Sequence, residues 1–421
     1  MDIRVYPATL SGVFTPPASK SASHRAVIAC ALSGGTSHIS SLASNDDILV
    51  TQRAMTALGA HIELCGQTTV IQGITHPPKR ALIYCGESGS TLRFLLPVAA
   101  ALSVTAIFDG TGRLPSRPID MLLKELRKNG VTDDYRGTMP FTISGRLRGG
   151  RYEIDGSVSS QFVTGLLFAL PLCEEDSQIV LRGRLESRPY VDMTVALLRR
   201  FGVKITETQS GYLVPGGQRY TPCDLTVEGD WSGAAFFLAA GAVGGNVSCR
   251  GVDFASMQGD RAVTSLLAAF GAKVAQSGDT VTVGAAPLTA VTIDASDIPD
   301  LVPILAVTAA FANGDTVITG AQRLRIKESD RLAAIERLLF GLGGRVTLTD
   351  DGLIVHGEAA LAGGEADSFG DHRIAMAAAI AATRCDKPVV IRGAECVSKS
   401  YPQFFAQLTA LGGRCDELDM G

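Results

Sequence analysis

Several short segments of this chain gather hydroxyls, carboxylates and cations where apolar helices are expected to begin. They are Ser19-Lys20-Ser21-Ala22-Ser23-His24-Arg25, Glu87-Ser88-Gly89-Ser90-Thr91-Leu92-Arg93, Ser159-Ser160-Gln161, Asp297-Ile298-Pro299-Asp300 and Asp371-His372-Arg373. Ser and Asp are ordinary N-caps, and capping accounts for Asp230 and Ser232. It does not account for Lys20, Arg25, Arg93 and Arg373, because the macrodipole at a helix N-terminus favours anions and opposes cations. A helix start that also carries cations suits a bound anion. Ser159, Ser160 and Gln161 add hydroxyls, an amide and free backbone N–H groups of the kind a phosphate takes.

A second set of helix starts adds Arg117-Pro118, Lys327-Glu328-Ser329-Asp330-Arg331 and Lys399-Ser400-Tyr401-Pro402. Charge runs usually face solvent, and that is the expectation for Arg323 and Arg325. If Lys20, Arg25, Arg93, Arg117, Lys327, Arg331, Arg373 and Lys399 converge, each pair at ~8 Å repels by roughly 2 kcal/mol at an effective dielectric of ~20. Counter-charges are then required. Asp300 and Glu328 supply some, and anionic ligands the rest. The expected site is therefore a hinged cleft, open when empty and closed by its ligands.

The elements that must position these groups recur. Helices ending in glycine close at Gly59, Gly130, Gly202, Gly271, Gly343 and Gly412, about seventy residues apart. Glycine at such a place fits a left-handed helix C-cap. A more apolar helix lies upstream in each repeat, expected to run from Ser23, Ser90, Ser160, Ser232, Asp300 and Asp371. These are hydrophobic nearly all round, as buried helices are. Each is followed by a Gly/Asn/Asp turn and a β-branched strand, as in Asp315-Thr316-Val317-Ile318-Thr319-Gly320. The unit reads strand–helix–strand–helix–strand–strand. Six copies predict an α/β protein of two globular domains with three βαβαββ repeats each, with a seam near Val227 to Asp230.

Bulk properties exclude much else. The 421 residues are 46% hydrophobic and 19% charged, with a formal net charge of −4. That balance argues against nucleic acid or an anionic membrane as partner. The first residues have no apolar leader, and the longest uncharged run, Trp231 to Cys249, is broken by glycines, so no membrane span is expected. Nine scattered cysteines without a Cys-x-x-Cys pair suit reduced thiols in the cytoplasm. No histidine or cysteine spacing suggests a metal. The chain is expected to act as a monomer, without cofactor or metal.

The segments quoted above, with Phe162 after Gln161 and Leu332 after Arg331, resemble the 5-enolpyruvylshikimate-3-phosphate synthases of the enolpyruvyl transferase family over nearly the whole chain. The resemblance implies an inside-out α/β barrel in each domain. One domain would comprise residues 1–12 and 228–421 and the other 13–227, with the active site in the cleft between them. It also implies transfer of the enolpyruvyl group of phosphoenolpyruvate to the 5-hydroxyl of shikimate 3-phosphate, with release of phosphate, on the shikimate route to chorismate and the aromatic amino acids. Lys20, Ser21, Arg25, Ser159, Ser160, Gln161, Ser187, Asp300 and Lys327 would hold shikimate 3-phosphate. Lys20, Gly89, Arg117, Gln161, Arg331, Arg373 and Lys399 would hold phosphoenolpyruvate. Asp300 is the expected base for the hydroxyl. Glu328, with Lys20, is expected to serve the methylene carbon, and His372 to orient its neighbours.

Two features depart from the family pattern. Glu87 and Ser90 stand where Asn and Thr are usual, and Arg323 stands where some members have a substrate-binding Asn. Two rival readings share the scaffold. A UDP-N-acetylglucosamine enolpyruvyl transferase usually carries a Cys five residues before an Arg-Pro pair, where this chain has Gly112. A non-catalytic binding protein would be expected to lose its costly charges, yet Lys20, Asp300, Glu328, Arg331 and Arg373 are all present.

Overall fold

The structure is a computed structural model and describes residues 1–418. Residues 419–421, the end of the expected 228–421 segment, lie outside the described residues. Among the described residues twelve α-helices follow in chain order: α1 Lys20–Leu32, α2 Asp46–Ala57, α3 Gly89–Ala101, α4 Asp120–Lys128, α5 Ser160–Ala169, α6 Arg188–Arg200, α7 Trp231–Gly244, α8 Val263–Phe270, α9 Val302–Ala310, α10 Arg331–Gly341, α11 His372–Ala382 and α12 Phe404–Ala410. The odd-numbered helices are buried along most of their length, as their all-round apolar sequences require. The even-numbered ones keep a solvated face. All six closing glycines have positive φ, between 77° and 109°, the conformation a left-handed cap needs.

The strands of the described residues form six four-stranded sheets of one pattern. In each, one parallel pair is extended by two antiparallel neighbours. Arg80–Tyr84 runs parallel to Thr105–Asp109 with Ile83 opposite Phe108, and Phe108 in turn faces Phe141 of an antiparallel strand. Burial alternates along Arg80–Tyr84, so one face of the sheet covers helices.

Two compact units result, Met1–Ser19 with Glu228–Gly421, and Lys20–Val227. The first crossing falls between Ser19 and Lys20, later than the expected residue 12. Strand Ser11–Phe14 pairs in parallel with Asn246–Arg250, and the Ser19 amide donates to the Glu228 carbonyl at 2.8 Å, which holds residues 13–19 to the first unit. In that unit α7, α9 and α11 pack against one another, and Phe237 stacks on Phe404 at 5.0 Å. In the other, α3 packs on α5, while α6 packs on both α1 and α5.

Four helix starts differ from expectation; one is α12, which begins at Phe404 beyond the Lys399-Ser400-Tyr401-Pro402 segment, where Lys399 ends a 3-10 turn from Ala394. α1 begins at Lys20, so Ser23 lies inside it and Lys20 and Ser21 form its first turn. α4 begins at Asp120, two residues beyond Pro118, after a 3-10 turn at Leu114–Ser116. Asp300 sits in a 3-10 turn, Pro299–Leu301, and the regular helix starts at Val302. Pro299 and Pro303 have no N–H to donate there.

Candidate active site

In the unit Lys20–Val227 the expected residues lie at the starts of α1, α3, α5 and α6. The Lys20 ammonium meets the Asp47 carboxylate at 2.9 Å, in the acidic first turn of α2. Arg25 is 3% exposed. Its Nε donates to Thr194 Oγ1 at 2.8 Å, and its Nη atoms donate to the carbonyls of Ser21 and Tyr190 at 2.7 and 2.8 Å. The guanidinium also lies over the rings of Phe94 and Tyr190. Its partners are neutral, and burial lowers its pKa to about 10. A buried cation held only by dipoles and ring faces retains its attraction for an anion. Beside it His24, its pKa pushed well down by burial and then by Lys20 and Arg25, is a neutral imidazole 2.8 Å from the Thr51 hydroxyl.

Gln161 joins α3 to α5. Its Nε2 donates to Ser90 Oγ at 2.9 Å, and its Oε1 accepts from Arg93 Nη1 at 2.7 Å. Ser159 caps α5 by accepting from the Gln161 amide, and Ser160 is buried beside it. Ser187 precedes α6 in the left-handed region, φ 53°. Such backbone costs about 1–3 kcal/mol and clusters at functional sites. Gly89 has a steric reason: a Cβ there would fall 2.6 Å from Arg117 Nη1. Only glycine lets that buried guanidinium lie against the first turn of α3. At Gly112, φ 61°, a Cβ would meet the Glu87 carboxylate, so the Glu87 side chain lies against this turn.

In the other unit the carboxylates and guanidiniums of the α9, α10 and α11 starts interlock. Arg331, 1% exposed, opens α10 and reaches three acids. Its Nε donates to Asp371 Oδ2 at 2.7 Å, Nη1 to Asp300 Oδ1 at 2.8 Å and Nη2 to Glu328 Oε2 at 2.8 Å. Arg373 Nη2 donates to the other Asp300 oxygen at 2.9 Å. Burial pushes the Asp300 carboxyl up, but Arg373, Lys327 and Arg331 together outweigh it and hold the group well below the usual carboxylate range. Asp371, fully buried, caps α11 by accepting from the Arg373 amide at 3.0 Å and also takes the Ser329 hydroxyl at 3.0 Å. Burial lowers Lys327 to about 8 against the pull of Asp300 and Glu328. Lys399 Nζ donates to the Gly370 carbonyl at 2.7 Å. His372 is buried at the start of α11.

Arg323 corrects an expectation. It is buried, not solvated, and donates from Nη2 to the Ser296 carbonyl at 2.8 Å. Arg325 is partly exposed and donates to the Thr349 carbonyl. The counter-charge Asp47 lies outside every quoted segment, and Asp371 lies inside one as a helix-start residue without a named partner.

Asp260 likewise lies outside every quoted segment. It is buried, one carboxylate oxygen takes the Ser232 hydroxyl, and the other, Oδ1, has no hydrogen-bond partner. Burial, then the Asp300 charge, raises it to about 7, against the opposing pull of Arg373. Asp300 has two guanidiniums and Asp260 a hydroxyl, so the proton resides on Asp260. Its folded pKa exceeds the unfolded one. The resulting stabilisation is full below pH ~4 and is lost as pH rises towards ~7, by about 4 kcal/mol for three pKa units. Asp260→Asn should therefore gain on the parent chain in urea denaturation between pH 5 and pH 8. A stability difference that does not change with pH over that range would refute the assignment.

Among the described residues no group of three or more His, Cys, Asp or Glu side chains is placed to hold a metal ion. All nine cysteines carry free thiols. No helix among the described residues is long and apolar enough to cross a membrane.

The comparisons with known proteins agree with one another. The family model of EPSP synthase (3-phosphoshikimate 1-carboxyvinyltransferase) matches residues 6–408. The 3-phosphoshikimate 1-carboxyvinyltransferase of Clostridium kluyveri is 42% identical over 422 aligned residues, covering 100% of this chain and 99% of the relative. That of Clostridioides difficile is also 42% identical, with the same coverage. The EPSP synthase structure from Acinetobacter baumannii superposes with a TM-score of 0.81 at 27% identity, covering 99% of this chain and 100% of that one. The enolpyruvyl transferase NikO from Streptomyces tendae, at 19% identity and a TM-score of 0.80, shares the fold. By sequence across nearly its whole length and by structure, the chain belongs to the EPSP synthase (3-phosphoshikimate 1-carboxyvinyltransferase) family.

Proposed function

We propose that the chain transfers the enolpyruvyl group of phosphoenolpyruvate to the 5-hydroxyl of shikimate 3-phosphate and releases phosphate. The observation that carries this reading is the Arg331–Arg373 pair, two buried guanidiniums converging on one carboxylate. Planar guanidinium forks suit bidentate carboxylate binding, and phosphoenolpyruvate brings a carboxylate. Arg117, Lys399 and Lys20 neutralise its phosphate, with Gly89 giving Arg117 room and Gln161 setting the edge of the site. Lys20, Ser21, Arg25, Ser159, Ser160, Gln161, Ser187 and Lys327 hold shikimate 3-phosphate, and Asp300 takes its 5-hydroxyl.

The reaction is an addition followed by an elimination. The methylene carbon of phosphoenolpyruvate gains a proton, and the adjacent carbon is attacked by the hydroxyl as that group loses its own. The tetrahedral intermediate expels phosphate, and the new methyl group returns a proton. Asp300 accepts the hydroxyl proton and Glu328 serves the carbon, each worth roughly 10²–10⁴-fold.

The decisive assay is phosphate release from phosphoenolpyruvate with shikimate 3-phosphate, and separately with UDP-N-acetylglucosamine. Release is expected with the first only, and its absence there would overturn the reading. The UDP-sugar enzymes usually place a cysteine where this chain has Gly112.

Lys327 gives the reaction a pH limit. If its ammonium holds the substrate phosphate, loss of its proton near pH 8 weakens binding. The KM for shikimate 3-phosphate should be flat below that pH and rise up to about tenfold per pH unit above it. Lys327→Arg, charged throughout, should remove the rise. A variant that keeps it would assign the limit to another group.

A further inference from the structure

The carboxylate site formed by Arg331 and Arg373 already has an occupant from the chain itself. Asp300 Oδ1 accepts from Arg331 at 2.8 Å and Asp300 Oδ2 from Arg373 at 2.9 Å, one oxygen to each guanidinium. Arg373 Nη1 also approaches the Asp300 backbone carbonyl at 3.4 Å. This is the two-point grip that an incoming carboxylate would need. Both arginines are buried, and the Asp300 side chain keeps some exposure. Arg331 is fixed from behind by Asp371 and from the side by Glu328, so its position does not depend on Asp300.

We propose that Asp300 is an internal competitor for the substrate carboxylate: phosphoenolpyruvate displaces it from Arg331 and Arg373, and the displacement turns Asp300 into a base. The proposal rests on the functional reading above. A carboxylate held by two guanidiniums is a poor proton acceptor, because the bound cations favour its charged form. When the substrate carboxylate takes over those donors, Asp300 loses the groups that suppress its basicity. It can then accept the 5-hydroxyl proton as the hydroxyl oxygen bonds to the adjacent carbon of phosphoenolpyruvate. Base strength thus appears only when the second substrate is in place. A free Asp300 base would have no partner to activate in its absence.

The exchange makes a prediction that loss of a substrate-binding residue would not. Asp300→Asn removes the competing charge but keeps the shape. It should bind phosphoenolpyruvate alone roughly tenfold more tightly than the parent chain, measured by calorimetry, while its turnover collapses. Asp300→Glu retains a carboxylate and should also lose turnover but gain no such affinity. Asp300→Ser serves in place of Asn if the amide variant fails to fold, with circular dichroism as the check. Equal or weaker binding by folded Asn and Ser variants would overturn the exchange, as would a gain in the Glu variant equal to that in Asn. The two proposals fail separately. A parent chain that binds phosphoenolpyruvate yet releases no phosphate with shikimate 3-phosphate would sink the reaction. Normal turnover without the affinity gain would sink the exchange alone.

Discussion

Arg331→Ala is expected to destabilise the chain by about 3–5 kcal/mol and to abolish phosphate release. The side chain is 1% exposed and faces Asp371, which is fully buried, together with Asp300 and Glu328. These acids raise its own pKa well above the ordinary value despite the opposing cost of burial. Without the guanidinium, three carboxylates converge on a space from which water is largely excluded. Asp371 keeps the Arg373 amide and the Ser329 hydroxyl as neutral donors, which spares part of the penalty. Asp300 keeps Arg373, and Glu328 keeps partial exposure to solvent. Arg331→Lys restores the charge but offers no planar fork, so it should recover part of the stability and little of the turnover. Urea denaturation with circular dichroism measures the first effect and the phosphate assay the second. If Arg331→Ala lay within about 1 kcal/mol of the parent chain, the three-carboxylate cluster would not anchor the fold around Arg331.

The placement of these groups was partly legible in the sequence. The helix-start pattern put Ser159, Ser160, Arg331, Asp371 and Arg373 where the helices do begin, because caps and apolar periodicity are local signals. The expected counter-charges Asp300 and Glu328 do face Arg331. Asp47 and Asp371 were not read as partners of Lys20 and Arg331, since each pairing depends on how two helices pack, across 27 and 40 residues of chain. Arg323 was misplaced for a related reason. A charge run is expected at the surface, and nothing local announces that the Ser296 carbonyl lies in reach. Asp260 illustrates the limit most clearly. Its neighbours Ser232 and Asp300 come from separate repeats, and an acid that folding keeps protonated carries no sequence signature. The glycine caps were readable as a repeat, but the reason for Gly89 was not, because it is the side chain of Arg117 that fills the space.

The proposed division of labour between Asp300 and Glu328 predicts a second large effect. Glu328→Gln should lower kcat by about 10²–10⁴-fold while changing either KM by only a few fold. Glu328 opposes Arg331 at 2.8 Å and its side chain is partly exposed, so the amide can keep the contact and the local fold should persist. Asp300→Ala should lower kcat by a comparable factor, so the rate alone does not separate the two roles. The proton's destination does. Transfer to carbon is intrinsically slow, because charge must be reorganised as the double bond is consumed. Transfer between oxygens within a hydrogen bond is fast. If Glu328 serves the methylene carbon, removing it makes carbon protonation limiting, and turnover in heavy water should show a larger isotope effect than the parent enzyme. If Asp300 serves the hydroxyl, Asp300→Ala leaves a weak nucleophile as the obstacle, and its isotope effect should stay small. Reversed isotope effects would exchange the two assignments. Near-normal turnover by Asp300→Ala with both substrates bound would remove Asp300 from the chemistry, and the exchange at Arg331 and Arg373 would then serve binding alone.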